Sequence, residues 1–471
     1  MNCYREYKVN PTVLVWGGSE RAARLAGIIA TRQPTVWAWR EPVPESVQGE
    51  AIRAVWGKDI AYVKGRVGRF TVGLKDARGI EEIQAGALVL VPEPSRPLLN
   101  FPDTDEVSGC SVVVILMGVS RSAYSTALPE ICRLAAKNRV WVITDDVQTS
   151  FEGGEHLYWQ ACGQGVVFIR TNRVPSLVPI LGGTRKKFEA VVFDRDLGRE
   201  ICLQADAFVA PVWTLGDDMS GYCERLGLAD FDWGGYPGDT NREGIYVFPD
   251  PEGYMTGPEE EIVINAIAAK TAVLAQGRLQ AVARFQIDGD RCAYCLTCYR
   301  NCPHMAVEFR KDEKYRNLYQ EACFIDDLSC RGCGVCYALC PARAITRIGG
   351  KEEFDRDLSQ GIPVILACEN AAGMLLKSGG MRAYQLFPCA GAIGDNEILG
   401  AMAANGGKTD VCVVGCYQDK CEHGHKDREL EDRVKRLNRL LAKLGIEARV
   451  HLTRMSAADR LTRLTVMEER A

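Results

Sequence analysis

Two blocks of identical spacing hold eight cysteines: Cys292-x-x-Cys295-x-x-Cys298-x-x-x-Cys302-Pro303 and Cys330-x-x-Cys333-x-x-Cys336-x-x-x-Cys340-Pro341. Three thiolates separated by two residues can surround one iron–sulfur cube, and a fourth thiolate completes its set of ligands. Zinc bound by four thiolates is the alternative for any C-x-x-C pair. Zinc requires neither the third cysteine nor the proline, and both occur twice. The spacing therefore predicts two 4Fe-4S clusters.

This spacing resembles that of bacterial-type ferredoxins, in which the cysteine before the proline binds the other cluster of the pair. The resemblance implies crossed ligation. The expected ligands of cluster one are Cys292, Cys295, Cys298 and Cys340, and those of cluster two are Cys330, Cys333, Cys336 and Cys302. Because such clusters move one electron at a time, we expect the chain to carry electrons.

The overall composition limits the classes of protein that fit this sequence. The chain has 471 residues and a net charge of −4, which predicts about three domains and does not favour nucleic-acid binding. No apolar run approaches the roughly 20 residues needed to span a membrane, and the N-terminus opens no hydrophobic signal region. Twenty cysteines without such a signal indicate metal ligation in a reducing compartment. We therefore expect a cytoplasmic protein.

The pattern of apolar segments predicts three domains of α/β character. Residues 1–284 are expected to form a Rossmann-like domain, residues 285–352 a module with two 4Fe-4S clusters, and residues 360–471 an α/β iron–sulfur domain. A helix from about Glu20 to Ala30 follows the first apolar strand, and alternation of strands with helices favours a mainly parallel sheet. Strands are predicted at Val13–Trp16, Thr35–Trp39, Leu88–Val91, Val112–Met117, Val140–Thr144, Val166–Ile169, Ile245–Phe248, Val364–Ala367 and Val411–Val414.

A second constellation of cysteines lies in the last domain, where several cysteines follow strands. Cysteines at strand ends can converge at one edge of a sheet, and four thiolates suit a 2Fe-2S cluster. The alternative is four separate buried thiols, since free cysteine packs as a small hydrophobe. Spacing alone leaves both open. The four candidates are Cys368, Cys389, Cys416 and Cys421.

Three motifs in this domain resemble the delta subunit of methyl-viologen-reducing hydrogenase: Ile365-Leu366-Ala367-Cys368, Pro388-Cys389-Ala390-Gly391 and Gly415-Cys416-Tyr417-Gln418-Asp419-Lys420-Cys421. That family carries a 2Fe-2S cluster and passes electrons between a hydrogenase or formate dehydrogenase and heterodisulfide reductase. The resemblance implies the same four ligands, although the family usually has another cysteine where this chain has Ala371. His423 and His425 are expected to be solvated loop residues.

The first domain resembles the flavoprotein subunit of heterodisulfide reductase, at Tyr62–Val72 and from Asp145 to Arg170. The quinone-interacting membrane-bound oxidoreductase has a subunit with a similar order of domains, namely a flavin-type domain, a two-cluster ferredoxin and a delta-subunit domain. The resemblance implies an electron-transfer subunit of a heterodisulfide reductase-type complex. No substrate site of its own is evident.

The same resemblance implies the partners of the chain. We expect heterodisulfide reductase-like flavoprotein and iron–sulfur subunits, with a hydrogenase, formate dehydrogenase or reductase as further candidates. Two alternatives to the electron-transfer subunit stay open. One is an FAD-containing subunit that bifurcates or confurcates electrons, and the other is an assembly scaffold with structural clusters.

A degenerate flavin turn follows the first strand, at Gly17-Gly18-Ser19-Glu20. Dinucleotide folds place G-x-G-x-x-G here, so that backbone can approach the pyrophosphate, and an acid downstream binds the ribose. Ser19 adds bulk, Glu20 adds negative charge, and Trp39 stands where the related family has its ribose-binding glutamate. Gly17 and Gly18 are the remaining candidate contacts. We expect the domain to keep its fold and to hold no FAD.

Several other residues carry expectations of a structural kind. Cys323, just before the second block, is the strongest candidate for a spare ligand among the remaining cysteines, although a buried thiol is expected there. Cys412 lies inside an apolar strand and is expected to be a buried thiol. Three acidic pairs are expected to be solvated strand ends: Asp145-Asp146, Asp217-Asp218 and Asp326-Asp327.

Overall fold

The computed structural model describes most of the chain. The described residues are 4–40, 52–93, 96–102, 107–119, 121–180, 187–214, 219–228, 238–249, 255, 257–311, 314–315, 320–348, 364–378, 384–404, 406–417, 421–423, 426–456 and 459. Each strand predicted from the sequence is present, with bounds that differ by at most one residue at each end. Among the described residues, no helix is long and apolar enough to cross a membrane.

A five-stranded parallel sheet forms around Val13–Trp16, whose residues are all buried. Apolar side chains on both faces suit a strand that is covered on both sides. The first helix begins after Ser19, whose Oγ accepts a hydrogen bond from the backbone N–H of Ala22 (3.2 Å). The elements up to residue 99 are β1 (Tyr4–Lys8), β2 (Val13–Trp16), α1 (Glu20–Ala30), β3 (Thr35–Trp39), β4 (Ile52–Trp56), β5 (Asp59–Arg66), β6 (Arg69–Asp76), β7 (Gly79–Ala85), β8 (Ala87–Leu90) and β9 (Arg96–Leu99).

A second parallel sheet has a hydrophobic core of its own. Val112 and Val114 face helices, whereas Val113 and Ile115 face an antiparallel sheet, as expected for alternating side chains of one strand. The elements here are β10 (Ser111–Leu116), α2 (Arg121–Ala135), β11 (Arg139–Thr144), α3 (Gly154–Gly163), β12 (Val167–Arg170), β13 (Ser176–Ile180), β14 (Lys187–Asp194), β15 (Arg199–Ala205) and β16 (Ala207–Val209). The parallel order is β12-β11-β10-β16.

The chain then returns to the first sheet. The returning elements are β17 (Pro211–Thr214), α4 (Met219–Leu226), β18 (Ile245–Val247), α5 (Gly257–Ala272) and β19 (Arg278–Val282). Strand β18 pairs with β8 and completes the order β18-β8-β2-β3-β4, while β19 pairs with β1. Two antiparallel sheets, β5-β6-β7 and β13-β14-β15, accompany the two parallel sheets and were not predicted from the sequence.

The cysteine blocks form a module with internal two-fold repetition. Its elements are β20 (Phe285–Ile287), α6 (Thr297–Asn301), β21 (Val307–Lys311), β22 (Glu321–Ile325), α7 (Val335–Leu339) and β23 (Ile345–Arg347). The first strand pairs antiparallel with the last, and the two middle strands pair antiparallel with each other. Each block therefore contributes a strand, a cysteine turn, a short helix and a second strand.

The C-terminal domain is a four-stranded parallel sheet with the order β25-β24-β26-β27. Its elements are β24 (Val364–Cys368), a π-helical turn (Glu369–Gly373), α8 (Met374–Ser378), β25 (Tyr384–Phe387), a 3-10 turn (Ala390–Ala392), α9 (Asp395–Ala404), β26 (Val411–Gly415), α10 (Lys426–Lys443) and β27 (Val450–Arg454). Leu430, Leu437 and Leu441 are buried on one face of α10. Gly445 follows with φ +70°, the left-handed conformation that commonly ends helices.

Candidate metal centres

The expected ligands of cluster two lie together in the structure. Burial raises the pKa of the Cys336 thiol well above its ordinary value, and its neighbours Cys333, Cys302 and Cys330 add to the effect. Cys302 follows α6, and its Sγ accepts a hydrogen bond from the backbone N–H of Ala306 (3.2 Å). A thiol from the first block therefore lies among the three from the second block, as crossed ligation requires.

The first block repeats the backbone of the second. Tyr294 and Leu296 adopt φ of 49° and 59°, at the positions that Gly332 (73°) and Gly334 (78°) occupy in the second block. The left-handed conformation is uncommon for residues other than glycine, so its recurrence indicates that the turn geometry is required. Around cluster one, the Cys292 and Cys298 thiols lie together with a further cysteine, Cys323.

Cys340 occupies the position in the second block that Cys302 occupies in the first. It follows α7, and its Sγ accepts a hydrogen bond from the backbone N–H of Ala344 at 3.3 Å. This match supports Cys340 as the fourth ligand of cluster one. Cys295 is exposed, whereas its counterpart Cys333 is buried. The first block is therefore open to solvent at Cys295, whereas Cys333 of the second block is covered by the C-terminal domain.

The four candidate ligands of the 2Fe-2S site converge at the carboxyl ends of the strands of the C-terminal sheet. The Sγ atoms of Cys368 and Cys416 lie 3.9 Å apart, and those of Cys389 and Cys421 also lie 3.9 Å apart. The hydrogen bond from Cys416 lowers the pKa of Cys368 to about 6. The same hydrogen bond raises the pKa of the Cys416 thiol.

The spacing within each pair of thiols suits a bound metal ion. A tetrahedral ion with metal–sulfur bonds of about 2.3 Å holds two thiolates roughly 3.8 Å apart. The separations of 3.9 Å within the pairs Cys368–Cys416 and Cys389–Cys421 are close to this value.

Cluster two and the 2Fe-2S site share an apolar contact. Cys333 of the first and Cys389 of the second pack together with Val335, which is 1% exposed. At the same interface, Ala392 Cβ lies 2.7 Å from the position that a Cβ on Gly334 would take, so only glycine fits. One candidate ligand from each site therefore lies in a single buried apolar cluster.

A hydrogen bond between two histidines joins the cluster module to the C-terminal domain. His304 Nε2 lies 2.9 Å from His423 Nδ1, and His304 Nδ1 lies 2.9 Å from the carbonyl oxygen of Asn241. Both side chains are buried. The expectation that His423 is a solvated loop residue is wrong, because the cluster module covers it; His425 lies outside the described residues. Burial also lowers the pKa of His423.

The acidic pair Asp326-Asp327 is buried, and the expectation of a solvated strand end is wrong for it. Asp326 forms a salt bridge with Arg66 (3.2 Å between Oδ2 and Nη1), and Asp327 accepts a hydrogen bond from the Tyr7 hydroxyl (2.6 Å). These contacts bind the cluster module to the first domain. Asp145-Asp146 is exposed, as predicted, and Asp217-Asp218 lies outside the described residues.

The degenerate flavin turn is filled by protein atoms. The carbonyl oxygen of Val91 lies 2.2 Å from the position of a Cβ on Gly17, so this glycine serves the close approach of the chain after β8. The Trp39 indole packs on Gly18, with Cδ1 3.7 Å from the corresponding Cβ position. Ser19 Oγ accepts a hydrogen bond from the backbone N–H of Ala22 at the N-terminus of α1, and a bound pyrophosphate would otherwise use this donor. The turn thus has Ser19 where a dinucleotide fold has a glycine, and Trp39 where the related family has its ribose-binding acid.

Comparison with protein families agrees with this geometry. Residues 366–470 match the family described as methyl-viologen-reducing hydrogenase, delta subunit. Residues 275–347 match the 4Fe-4S dicluster domain. The chain contains a hydrogenase delta-subunit domain and a 4Fe-4S dicluster domain. These two domains identify iron–sulfur electron transfer in oxidoreductases as the chemistry of this part of the chain.

Similar curated proteins are subunits or enzymes of redox metabolism in methanogens. Indolepyruvate oxidoreductase subunit IorA of Methanothermobacter thermautotrophicus is 36% identical over 87 residues, which is 18% of this chain and 12% of that protein. Dihydromethanopterin reductase (acceptor) of Methanosarcina mazei is 39% identical over 85 residues, covering 18% and 32%. Pyruvate synthase subunit PorD of Methanocaldococcus jannaschii is 31% identical over 62 residues, covering 13% and 63%. The chain thus spans less than two thirds of each relative.

Similar solved structures include two disulfide reductases. Bacillithiol disulfide reductase Bdr from Staphylococcus aureus has a TM-score of 0.35 and 13% identity, covering 57% of this chain and 99% of that chain. The flavoprotein disulfide reductase RclA from Escherichia coli has a TM-score of 0.35 and 11% identity, covering 68% and 89%.

Proposed function

We propose that the chain is the iron–sulfur electron-transfer subunit of a cytoplasmic heterodisulfide reductase-type complex. It relays electrons between partner subunits through two 4Fe-4S clusters and one 2Fe-2S cluster. The observation that carries this proposal is the buried apolar cluster in which Cys333 and Cys389, one candidate ligand from each of two adjacent sites, lie together with Val335. A structural cluster does not require a second cluster nearby, whereas a relay does.

The order of the sites supports a defined route. Cluster one is bordered by the exposed Cys295 and is accessible to a redox partner. Cluster two shares the module with cluster one, and crossed ligation by Cys302 and Cys340 ties the two together. The C-terminal 2Fe-2S site then leads to a second partner. Candidate partners are a heterodisulfide reductase-like flavoprotein, an iron–sulfur subunit, and a hydrogenase, formate dehydrogenase or reductase.

Magnetic coupling between cluster two and the 2Fe-2S cluster tests this proposal. In anaerobically purified chain reduced with dithionite, the electron paramagnetic resonance signal of the 2Fe-2S cluster should relax fast, because a second paramagnet lies beside it. Cys336→Ala removes a ligand of cluster two and should slow this relaxation. Cys295→Ala is the matched control, since it removes a ligand of cluster one and should leave the fast relaxation intact.

Two results would contradict the relay. One is a 2Fe-2S signal that relaxes slowly in the wild-type chain, which would separate the two centres. The other is equal loss of fast relaxation in both variants, which would show that the effect does not arise from cluster two.

A further inference from the structure

The two-fold repetition of the cluster module breaks at one buried position. Phe285 lies seven residues before Cys292, and Cys323 lies seven residues before Cys330. They occupy equivalent places in β20 and β22, which pair with β23 and β21 in the same antiparallel manner. The repeat therefore places a thiol where its other half places an aromatic ring.

Each of these residues covers the block that it does not precede. Phe285 is 4% exposed, and its ring lies 6.2 Å from the ring of Tyr337 in the second block. Its Cζ also lies 3.3 Å from the position of a Cβ on Gly334. Phe285 thus covers cluster two. Cys323 covers the first block, because its buried thiol packs in one cluster with Cys292 and Cys298.

Cys323 and Phe285 differ chemically in that only the thiol of Cys323 can donate a hydrogen bond. A phenyl ring excludes water and donates nothing, whereas a thiol carries one weak S–H donor. Hydrogen bonds to cluster sulfurs help to set the reduction potential, because they stabilise the more negative, reduced form. At 2% exposure, Cys323 excludes water from cluster one and still offers a donor to it.

We propose that Cys323 raises the reduction potential of cluster one by donating its S–H to a ligand sulfur, chiefly that of Cys298. The inference rests on the proposed function, since it requires a 4Fe-4S cluster on the first block. Cys323 is a positioning residue and not a ligand in this scheme, because Cys292, Cys295, Cys298 and Cys340 complete the four ligands of the cube. Phe285, at the equivalent place above cluster two, offers no such donor.

A potentiometric titration followed by electron paramagnetic resonance tests this inference on the full-length chain. In Cys323→Ala, cluster one should keep its iron and its potential should fall. At the wild-type midpoint, its ratio of reduced to oxidised form should drop roughly threefold to tenfold, the range that corresponds to one hydrogen bond. A tenfold drop is about 59 mV for one electron. Titration in a Cys336→Ala background assigns the remaining 4Fe-4S signal to cluster one.

Two further variants separate hydrogen bonding from packing. Cys323→Ser restores a donor and should recover the wild-type potential or exceed it. Phe285→Cys introduces the same donor above cluster two and should raise the potential of that cluster alone. A change in packing alone would neither restore the potential of cluster one in Cys323→Ser nor raise the potential of cluster two in Phe285→Cys.

The outcomes that overturn the inference are distinct from failure of the proposed function. An unchanged potential in Cys323→Ala overturns the inference alone. Loss of about four irons in that variant also overturns it, because Cys323 would then be a ligand. A wild-type chain without any 4Fe-4S signal would overturn the proposed function together with the inference.

Discussion

Cys412 and Cys389 are both buried thiols of the C-terminal domain, and they differ in what surrounds their sulfur. Cys389 Sγ lies 3.9 Å from Cys421 Sγ, whereas Cys412 Sγ faces the hydroxyl of Thr453 at 3.6 Å. The first environment suits a metal and the second suits a packed thiol. The distance from each sulfur atom to its nearest polar neighbour thus distinguishes a candidate metal ligand from a thiol that only packs. Residue type alone does not make this distinction.

Cys389→Ala should abolish the 2Fe-2S absorption and resonance signals of the full-length chain, because it removes one of four ligands. Cys412→Ala should keep them and lower the stability of the domain by about 1 kcal/mol, the cost of a small cavity. Ultraviolet–visible spectra and iron content of both variants provide the measurement. Loss of the cluster in Cys412→Ala together with its retention in Cys389→Ala would show that the ligand set is wrong.

One element that attaches the cluster module to the first domain is the loop after β22. Asp326 is buried against Arg66, which is itself 5% exposed, and Asp327 accepts from Tyr7. Burying an ion pair stabilises the contact only while both partners remain. The loop therefore holds the cluster module against the first domain, and each of the two has a hydrophobic core of its own.

Asp326→Asn should destabilise this contact by about 2–3 kcal/mol, because it removes one of the two carboxylates, the other being that of Glu308, that pair with the buried Arg66 guanidinium. A fall of roughly 5–10 °C in the midpoint of the corresponding thermal transition is expected. Asp145→Asn is the matched control, since Asp145 is exposed and its replacement should change stability by no more than about 0.5 kcal/mol. Equal midpoints for the two variants, measured by calorimetry, would contradict this role of the loop.

The turn between β2 and α1 is the element that decides the flavin question. Trp39 packs on Gly18, and Ser19 Oγ caps the helix. We expect the purified chain to hold no stoichiometric FAD, because the Ser19 side chain stands where backbone should approach the pyrophosphate and Trp39 cannot accept from the ribose hydroxyls. Acid extraction of the isolated chain followed by flavin fluorescence measures this. Near-stoichiometric FAD would instead favour a subunit that bifurcates or confurcates electrons.

Local sequence patterns predicted the strands well. They could not predict contacts between residues that are far apart in the sequence. Apolar runs such as Val13–Trp16 and Val411–Gly415 predicted strands, because burial on both faces leaves a continuous signature in the sequence. The pair His304–His423 left none, since its members are 119 residues apart and meet only through tertiary packing. A histidine directly after Cys302-Pro303 was the one signal that could have drawn attention to it.

For the whole molecule, the cysteine spacing predicted the iron–sulfur sites. Only the fold shows how these sites are arranged relative to one another and to solvent. Spacing placed Cys302 with the second block, and the structure brings its thiol next to Cys336. Spacing did not indicate that the C-terminal domain covers Cys333 of the second block while leaving Cys295 of the first block exposed. That asymmetry follows from contacts such as Gly334 with Ala392, which depend on how three domains pack.

Mössbauer spectroscopy of the full-length chain, purified anaerobically after growth on ⁵⁷Fe, tests the central claim most directly. The three-centre relay predicts about ten irons per chain, with the iron divided between 4Fe-4S and 2Fe-2S clusters in a ratio of about four to one. Iron in 4Fe-4S clusters alone, with zinc or empty thiols at Cys368, Cys389, Cys416 and Cys421, would contradict that relay.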